Sequence, residues 1–486
     1  METKKLRGGE KFAYGLGAVG KDMVYMFSAS YVLYYFQDVM GVSAVAMGVI
    51  LLVARVFDAF NDPIMGIIVA KTKTKWGKFR PWLMIGTITN AILLVLMFSC
   101  PPDLSAGGLI AYAAVTYIIW GITYTMMDIP YWSMIPAFTR AGKEREGLSA
   151  LARSCAGVGS ALISVVTVMA VKFLGGTLDN GATNEVAGYQ RFAIVVAALF
   201  VIFTTIMCIV IKEKSNVEMK TASVGDMFKA LFKNDQAMTI VISIVCINIA
   251  LYITSNLVIY FFKYDFSPAQ WESNYTIFNI AGGGFQILAM MVLFPLFRKF
   301  MNTMKIFYVS FFMAMAGYVV LLGLAFTGMD NVYLLLIPAF LIMSAIGMLN
   351  VVVTVFLANT CDYGELKNGR RDESVIFSMQ TFVVKLASGV AAFIASLVLS
   401  IFSITEDTAG EDTADIVYQR ASDASCMGLR MCMTIIPIVI LIIGLIVFKS
   451  KYKLTDEKLD EITKELDARH ATEGNVSEDS EKSAEA

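Results

Sequence analysis

The chain has 486 residues, of which 57% are hydrophobic and 16% are charged, and its formal net charge is −1. Soluble proteins carry about 25% charged residues, and apolar runs of about 20 residues recur along this chain. The composition therefore excludes an ordinary soluble core and indicates a polytopic α-helical membrane protein. The near-zero net charge does not indicate nucleic-acid binding, and the single histidine (His470) excludes histidine-based chemistry in the apolar part.

Hydropathy predicts about twelve membrane spans along the chain. The charged N-terminal segment leads straight into the first span, so we expect no short cleavable signal sequence. The predicted spans cover residues 12–36, 43–70, 82–100, 107–138, 148–173, 190–211, 236–263, 273–297, 305–327, 332–359, 375–402 and 428–448.

Basic loops alternate with loops that are acidic or poor in lysine and arginine. By the positive-inside rule, the basic loops face the cytoplasm together with both termini, which agrees with an even number of spans. The basic loops are 71–80, 140–145, 212–233, 298–305, 367–371 and 449–453.

The longest predicted cytoplasmic connection lies between the sixth and seventh spans and divides the chain into equal halves. Two halves of six spans are typical of a transporter whose substrate site lies between them near the bilayer midplane. The predicted organisation is an N-terminal six-helix bundle (1–211), a central cytoplasmic linker (212–235), a C-terminal six-helix bundle (236–448) and a cytoplasmic acidic tail (449–486).

The start of the tail has helical periodicity. Leu459, Ile462 and Leu466 recur at i, i+3 and i+7, which predicts a short amphipathic helix. The last sixteen residues, 471–486, are polar and acidic, which predicts disorder. A solvated tail without a specific role is the alternative interpretation.

Eight charged residues lie inside the predicted spans, five or more positions from either end. An ionisable side chain within the bilayer is costly and points to function, although structural salt bridges between helices remain the alternative. Asp58 is thirteen residues from Lys71 at the cytoplasmic flank, a depth of roughly 20 Å, and similar estimates for others converge near mid-membrane. The eight residues are Lys21, Asp22, Arg55, Asp58, Asp62, Asp128, Arg153 and Lys385.

Three oxygen-bearing side chains share one face of the second span. Asp58, Asn61 and Asp62 are spaced i, i+3 and i+4, so their oxygen atoms lie together. Oxygen ligands suit a hard monovalent cation such as Na⁺ or Li⁺, and the same acids can take a proton. Thr125 in the fourth span is available to complete this site.

The fourth span also carries groups that suit a sugar. Asp128 can accept hydrogen bonds from hydroxyl groups, and Trp132, one turn further along the chain, offers a flat apolar face. Trp132 alone would more often be a packing residue. Beside Asp128 and the in-membrane Arg153 the sugar-binding interpretation is favoured.

Several of these stretches, in this order, resemble one transporter family. They are "GKD" (20–22), "DAFNDPIMG" (58–66), "TKWGKFRPW" (74–82), "TYTMMDIPYWS" (123–133) and "CDYGELKNGRRDESVIFSMQTFVVK" (361–385). They are similar to the glycoside–pentoside–hexuronide:cation symporter family of the major facilitator superfamily, and in particular to its melibiose permeases. The resemblance covers both halves and implies twelve transmembrane helices in two six-helix bundles.

The resemblance assigns roles to individual positions. It implies cation binding, with Na⁺, Li⁺ or H⁺ as the coupling ion, by Asp58, Asn61, Asp62 and Thr125. It implies a sugar site formed by Lys21, Asp22, Asp128, Trp132, Arg153 and Lys385, with Asn350 where the family has a pocket tryptophan. It implies a cytoplasmic gate that includes Arg298, Asp362, Glu365 and Arg371, with Asn359 where the family has an aspartate.

The expected function is alternating-access symport of a cation with a glycoside such as melibiose or another galactoside, in the bacterial inner membrane. The alternatives are an H⁺-coupled hexuronide or pentoside transporter, a same-fold transporter for another solute, or a non-transporting sugar sensor. No catalytic constellation or ATP-binding loop is present in the sequence, so we expect neither an enzyme nor a bound cofactor. The expected partners are a small sugar, a monovalent cation and the lipid bilayer, with a cytoplasmic regulatory protein as a further candidate and no nucleic acid.

Overall fold

The computed structural model describes residues 6–139, 142–177, 184–211, 229, 232–266, 268–326, 331–369, 372–402, 404 and 421–469. Nearly all of these residues are helical. Three parts with predicted roles lie outside the described residues: most of the central linker, Arg371 of the predicted gate, and the acidic segment 471–486.

Long helices follow one another along the described part of the chain. They are α1 (Gly8–Tyr34), α2 (Ala44–Lys71), α3 (Arg80–Met97), α4 (Ala106–Phe138), α5 (Lys143–Gly175), α6 (Glu185–Val210), α7 (Asp235–Phe261), α8 (Trp271–Leu288), α9 (Thr303–Ala325), α10 (Val332–Asn368), α11 (Glu373–Ile401) and α12 (Asp423–Lys451). Helices α1 and α7 continue into single π-helical turns, and α8 continues through a π-helical turn into a short helix, Phe294–Arg298.

Local sequence determines where several of these helices begin. The side chains of Ser43, Ser105 and Asn234 accept hydrogen bonds from backbone N–H groups in the first turns of α2, α4 and α7. Such caps satisfy donors that the helix itself leaves free. At its other end, α10 stops at Gly369, which has a left-handed φ of 66°.

The helices have the lengths and apolar character that a membrane requires. Ten helical segments of the described part are long and apolar enough to cross it, judged on length and composition. Helices α1 and α2 are not among these ten, although they are equally long, and they carry five of the eight mid-span charges. The predicted all-α, multi-pass membrane fold is confirmed, and the number of twelve spans stays a prediction.

Helix packing forms two groups with a seam between them. Helices α1–α6 contact mainly one another, and so do α7–α12. Across the seam, α11 packs against α2 and α4, while α10 packs against α4 and α5. Every helix with a predicted cation- or sugar-binding residue packs at this seam or directly beside it.

Helix α10 is longer than the hydropathy predicts. The predicted span ends at 359, whereas the helix continues to Asn368. Hydropathy records where the apolar run ends, but the polar residues that follow keep helical geometry because Asp362 and Glu365 are buried against the rest of the protein. The extension carries charged side chains to the end of the bundle that holds the basic loops.

The start of the tail forms the predicted amphipathic helix, residues 456–469, which we call the tail helix. Leu459, Ile462 and Leu466 are at most 7% exposed and belong to the main hydrophobic core, so this segment is packed rather than solvated. Just before it, Tyr452 stacks on Phe448, with ring centroids 4.7 Å apart. Burial raises the pKa of the Tyr452 phenol well above its ordinary value, so this ring remains neutral.

Candidate functional site

A cavity of about 220 Å³ lies at the seam between the two groups of helices. A single water needs roughly 10–15 Å³ by the same measure, so the cavity has room for a small solute. Its lining includes acids, bases, hydroxyl groups and aromatic rings. The main polar and aromatic residues are Lys21, Asp22, Tyr25, Arg55, Asp58, Tyr117, Trp120, Tyr124, Thr125, Asp128, Trp132, Arg153, Gln380, Thr381 and Lys385.

Three of the four predicted cation-binding residues meet where α2 faces α4. The Thr125 hydroxyl donates a hydrogen bond of 2.9 Å to Asp62 Oδ1. Asp58 lies one turn before Asp62 on α2 and lines the cavity, whereas Asp62 is completely buried. Asn61 is half-buried beside them, on the same helix. An all-oxygen cluster therefore forms between two helices.

Lys385 of α11 is inserted into this cluster. Its Nζ lies 2.9 Å from both carboxylate oxygens of Asp62 and 3.5 Å from Asp58 Oδ2. Two buried carboxylates repel each other unless a positive charge lies between them, and here an ammonium group occupies that position. We predicted Lys385 among the sugar-binding residues. Its contacts are with the acids of the cation cluster, although the side chain also lines the cavity.

The predicted sugar-binding residues form a second cluster, centred on Lys21 of α1. Its Nζ lies 2.9 Å from Asp22 Oδ2 and 2.8 Å from Asp128 Oδ1. Asp128 Oδ1 also accepts a hydrogen bond of 3.1 Å from Trp132 Nε1. Lys21 is only 3% exposed, so two acids at close range compensate its buried charge. Trp132 is thereby oriented by a charged network.

Arg153 of α5 extends this cluster across the seam. Its guanidinium carbon lies 3.9 Å from the centre of the Trp132 ring, and its Nε donates a hydrogen bond of 2.9 Å to Thr354 Oγ1 on α10. Among the described residues, Asn350 is linked to this cluster through its carbonyl oxygen, which accepts a hydrogen bond of 2.8 Å from the Thr354 hydroxyl. Its side chain is half-buried and is not part of the cavity lining.

Four basic residues line the cavity, and two of them, Arg55 and Arg153, form no ion pair with the described residues. Lys21 and Lys385 are paired, but no carboxylate of the described residues lies within 4.0 Å of the guanidinium nitrogens of Arg55 or Arg153. Both arginines line the cavity. The cavity therefore offers two positive groups that a solute can approach.

One face of α4 joins the two clusters. Thr125 bonds Asp62 of the cation cluster, and Asp128, three residues later, bonds Lys21 of the sugar cluster. Residues three apart lie on the same side of a helix. A displacement of α4 at one cluster therefore also displaces the other.

Ion pairs across the seam close the end of the bundle that holds the basic loops. Arg145 of α5 donates to Asp362 Oδ2 at 2.6 Å and to Asn359 Oδ1 at 2.9 Å, both on α10. Arg298 and Glu146 form a bidentate pair with distances of 2.5 and 3.1 Å. Three of the predicted gate residues thus lie at this closed end, Glu365 being buried there. The fourth, Arg371, lies outside the described residues.

Sequence reasoning missed several of these partners. Arg145 and Glu146 are central to the closed end, yet the sequence predicts Arg145 only as part of a basic loop. It is 0% exposed and lies in the first turn of α5. A signal existed, because similar charged segments, 140–146 and 365–373, follow the fourth span of each half. Thr354 bonds Arg153, and the Tyr124 hydroxyl accepts a hydrogen bond of 3.2 Å from Lys21 Nζ. Both residues lie in apolar stretches of the sequence, and nothing there indicates these contacts.

A family model described as "MFS/sugar transport protein" matches residues 13–456. The isoprimeverose transporter of Lactiplantibacillus pentosus is 28% identical over 80% of this chain and 80% of its own length. The raffinose carrier protein of Pediococcus pentosaceus is 27% identical over 94% of this chain and 71% of its own length. These relatives carry sugar names, and the matches extend over both groups of helices.

Comparison with solved structures supports the fold independently. The proton:xylose symporter XylE of the major facilitator superfamily, bound to 6-bromo-6-deoxy-D-glucose, superposes with a TM-score of 0.61 over 93% of this chain and 98% of its own. At 13% identity the likeness concerns the fold alone. With the family match, it confirms the resemblance found in the sequence, including the expectation that the protein is not an enzyme. The chain belongs to the MFS/sugar transport protein family, a family of membrane transporters in the major facilitator superfamily.

Proposed function

We propose that this protein is a secondary active symporter that couples inward movement of Na⁺, or of Li⁺ or H⁺, to uptake of a glycoside such as melibiose or another galactoside. The observation that carries the proposal is the α4 face on which Thr125 bonds Asp62 while Asp128 bonds Lys21. A cation site and a sugar site on one rigid element are what coupling requires, because each ligand then biases the same helix.

Before the cation binds, the ammonium group of Lys385 lies between the two acids of the cation cluster. A Na⁺ ion that enters between Asp58 and Asp62 takes over the compensating charge, and its arrival releases Lys385 Nζ from contacts of 2.9 and 3.5 Å. Lys385 also lines the cavity, so the released ammonium can donate hydrogen bonds to a sugar there. A proton on one of the two acids has a similar effect, since it also weakens their hold on the lysine.

The sugar step uses the second cluster. Asp22 and Asp128 accept hydrogen bonds from sugar hydroxyl groups, Lys21 donates, and the Trp132 ring stacks on the apolar face of the pyranose. These groups already lie within one network, so little rearrangement is needed on binding. Asp22 and Asp128 match the sugar-binding acids of the melibiose permeases, which favours a galactoside-like ligand.

Translocation follows from alternating access between the two groups of helices. The pairs of Arg145 with Asp362 and of Arg298 with Glu146 hold one end shut while the cavity is loaded from the other. When both clusters are occupied, α4 and α11 move relative to each other and these pairs open. On our proposed topology, the closed end is cytoplasmic, both termini are cytoplasmic, and the membrane is the bacterial inner membrane.

A second candidate substrate class is an anionic hexuronide. The specific observation in its favour is that Arg55 and Arg153 both line the cavity without a carboxylate within 4.0 Å among the described residues. A uronate carboxylate forms strong, bidentate hydrogen bonds with a guanidinium group. The pentoside alternative has no comparable contact in its favour.

Uptake into proteoliposomes tests the proposal. The purified full-length protein is supplied with melibiose, lactose, a glucuronide or a xyloside, each with Na⁺, Li⁺ or an inward proton gradient. We expect concentrative uptake of a galactoside with at least one cation, and sugar counterflow without any gradient. A glucuronide transported in preference to its methyl ester selects the second candidate. Sugar binding without counterflow would contradict transport and identify a sensor.

A further inference from the structure

Gly121 lies in the middle of α4, against the carboxylate of Asp58. A Cβ atom at this position would lie 2.7 Å from Asp58 Oδ1, 3.5 Å from its Cγ and 3.6 Å from its Oδ2. Real Cβ contacts are essentially never shorter than 3.0 Å, so Asp58 occupies space that any other residue at 121 would fill. The glycine at 121 therefore matters because of its contact with Asp58 rather than because of its backbone conformation.

The contact is one half of a repeated pattern between the two helices. Asp58 and Asp62 are one turn apart on α2, and Gly121 and Thr125 are one turn apart on α4. Thr125 bonds Asp62 Oδ1 at 2.9 Å, while Gly121 leaves the space in which Asp58 lies. One turn of α4 thus positions both acids of the cation cluster. Gly121 leaves room for Asp58, and the Thr125 hydroxyl bonds Asp62.

Helix α4 cannot simply move back to relieve a larger residue at 121, because α3 holds it from behind. Asn90 of α3 donates hydrogen bonds of 2.9 Å to the Trp120 carbonyl and 3.0 Å to Thr123 Oγ1, on either side of Gly121. At Gly86, a Cβ would meet the Met127 backbone nitrogen at 2.9 Å, so the two helices are already in close contact. A methyl group at 121 must therefore displace the Asp58 carboxylate.

We propose that Gly121 is a positioning residue that seats the Asp58 carboxylate in the cation cluster and thereby sets cation affinity. This inference rests on the proposed function, which assigns that cluster to the coupling cation. Gly121 also lines the cavity, but in this role it acts through Asp58. Because the atoms that a new Cβ meets are the end of a side chain rather than backbone, the substitution Gly121→Ala moves Asp58 and leaves the fold in place.

The test compares the full-length Gly121→Ala variant with wild type and with Gly107→Ala. Gly107 is on the same helix, and a Cβ there meets nothing within 4 Å, so it provides a matched control. Na⁺, Li⁺ and H⁺ are each titrated against binding of the transported sugar. We expect Gly121→Ala to weaken the apparent affinity for the coupling cation at least tenfold, with Gly107→Ala within twofold of wild type.

Sugar affinity measured without the coupling cation separates positioning of Asp58 from general damage. We expect it to stay within threefold of wild type in Gly121→Ala, since Lys21, Asp128 and Trp132 are not displaced. Unchanged cation affinity in Gly121→Ala would overturn the inference, and so would an equal loss of cation-free sugar binding. If wild type itself shows no cation effect on sugar binding, the proposed function fails instead, which is a different result.

Discussion

At the scale of single residues, Lys385 shows what sequence reasoning reaches and where it stops. The spacing of Asp58, Asn61 and Asp62 was sufficient to predict an oxygen cluster, because spacing within one helix defines a shared face. The partner of Asp62 is 323 residues away, and no pattern within a helix indicates which distant base approaches which acid. The oxygen cluster was therefore predictable from spacing and the sugar-binding set from the family resemblance, whereas the contact of Lys385 with the oxygen cluster was not predictable.

Asp62→Cys should abolish stimulation of sugar binding by the coupling cation. Of the two acids in the cation cluster, Asp62 bonds both Thr125 and Lys385, so its loss removes both a cation ligand and the group that links the cluster to α4. Isothermal titration of sugar with and without Na⁺ measures the effect. The control is Asp103→Cys in the exposed loop before α4, which should retain full stimulation. Unchanged stimulation in Asp62→Cys would place the cation site elsewhere.

Trp132→Ala should weaken sugar binding about 10- to 30-fold, which corresponds to about 1.4–2 kcal/mol for a lost stacking surface. Trp132→Phe keeps a flat ring but loses the Nε1 bond to Asp128, so we expect a smaller loss, below about tenfold. Equilibrium binding at saturating cation measures both variants. Equal loss in the two variants would mean that the hydrogen bond, rather than stacking, carries the contribution.

At the scale of helices and segments, burial explains the differences from prediction. Hydropathy located the apolar interior of each helix well but ended α10 too early, because charged residues that pair across a seam are buried without being apolar. Arg145 is such a residue, and its acid lies in the other group of helices. The tail helix was predicted correctly, since its periodic leucines and isoleucine carry the signal themselves.

Asn359→Asp should stabilise the closed gate and slow transport. Arg145 already bonds Asn359 Oδ1 at 2.9 Å, so a carboxylate there adds a charge-assisted bond beside Asp362. We expect a several-fold lower maximal uptake rate, with sugar affinity from outside unchanged or tighter. Initial-rate uptake in proteoliposomes measures the rate. A faster rate would contradict this role for the Arg145 pair.

Ile462→Ala should release the tail helix from the body of the protein. Ile462 is 1% exposed, and truncation of a buried isoleucine costs about 2–5 kcal/mol, which weakens the packing of this short helix on the core. Limited proteolysis should cleave the variant near the tail faster than wild type. Lys464→Ala, on the exposed side of the same helix, is the control and should be cleaved at the wild-type rate. Equal cleavage of all three would show that Ile462 does not hold the helix.

At the scale of the whole molecule, two features define the proposed mechanism. One face of α4 joins the cation cluster to the sugar cluster, and the two groups of helices close together at one end. The sequence predicts the two halves from the central linker, and it predicts one shared cavity from charges at a common depth. It also places Thr125 and Asp128 on one span, but it does not show their contacts to α2 and α1, which form only in the folded bundle.

Reciprocal binding tests this central relation most directly. In one experiment sugar affinity is measured with and without the coupling cation, and in the other cation affinity is measured with and without sugar, on the same purified wild-type protein. Linkage requires the two ratios to be equal, and we expect both to be roughly 5- to 150-fold, the usual range for coupled sites. Sugar affinity that does not respond to Na⁺, Li⁺ or pH would contradict the account.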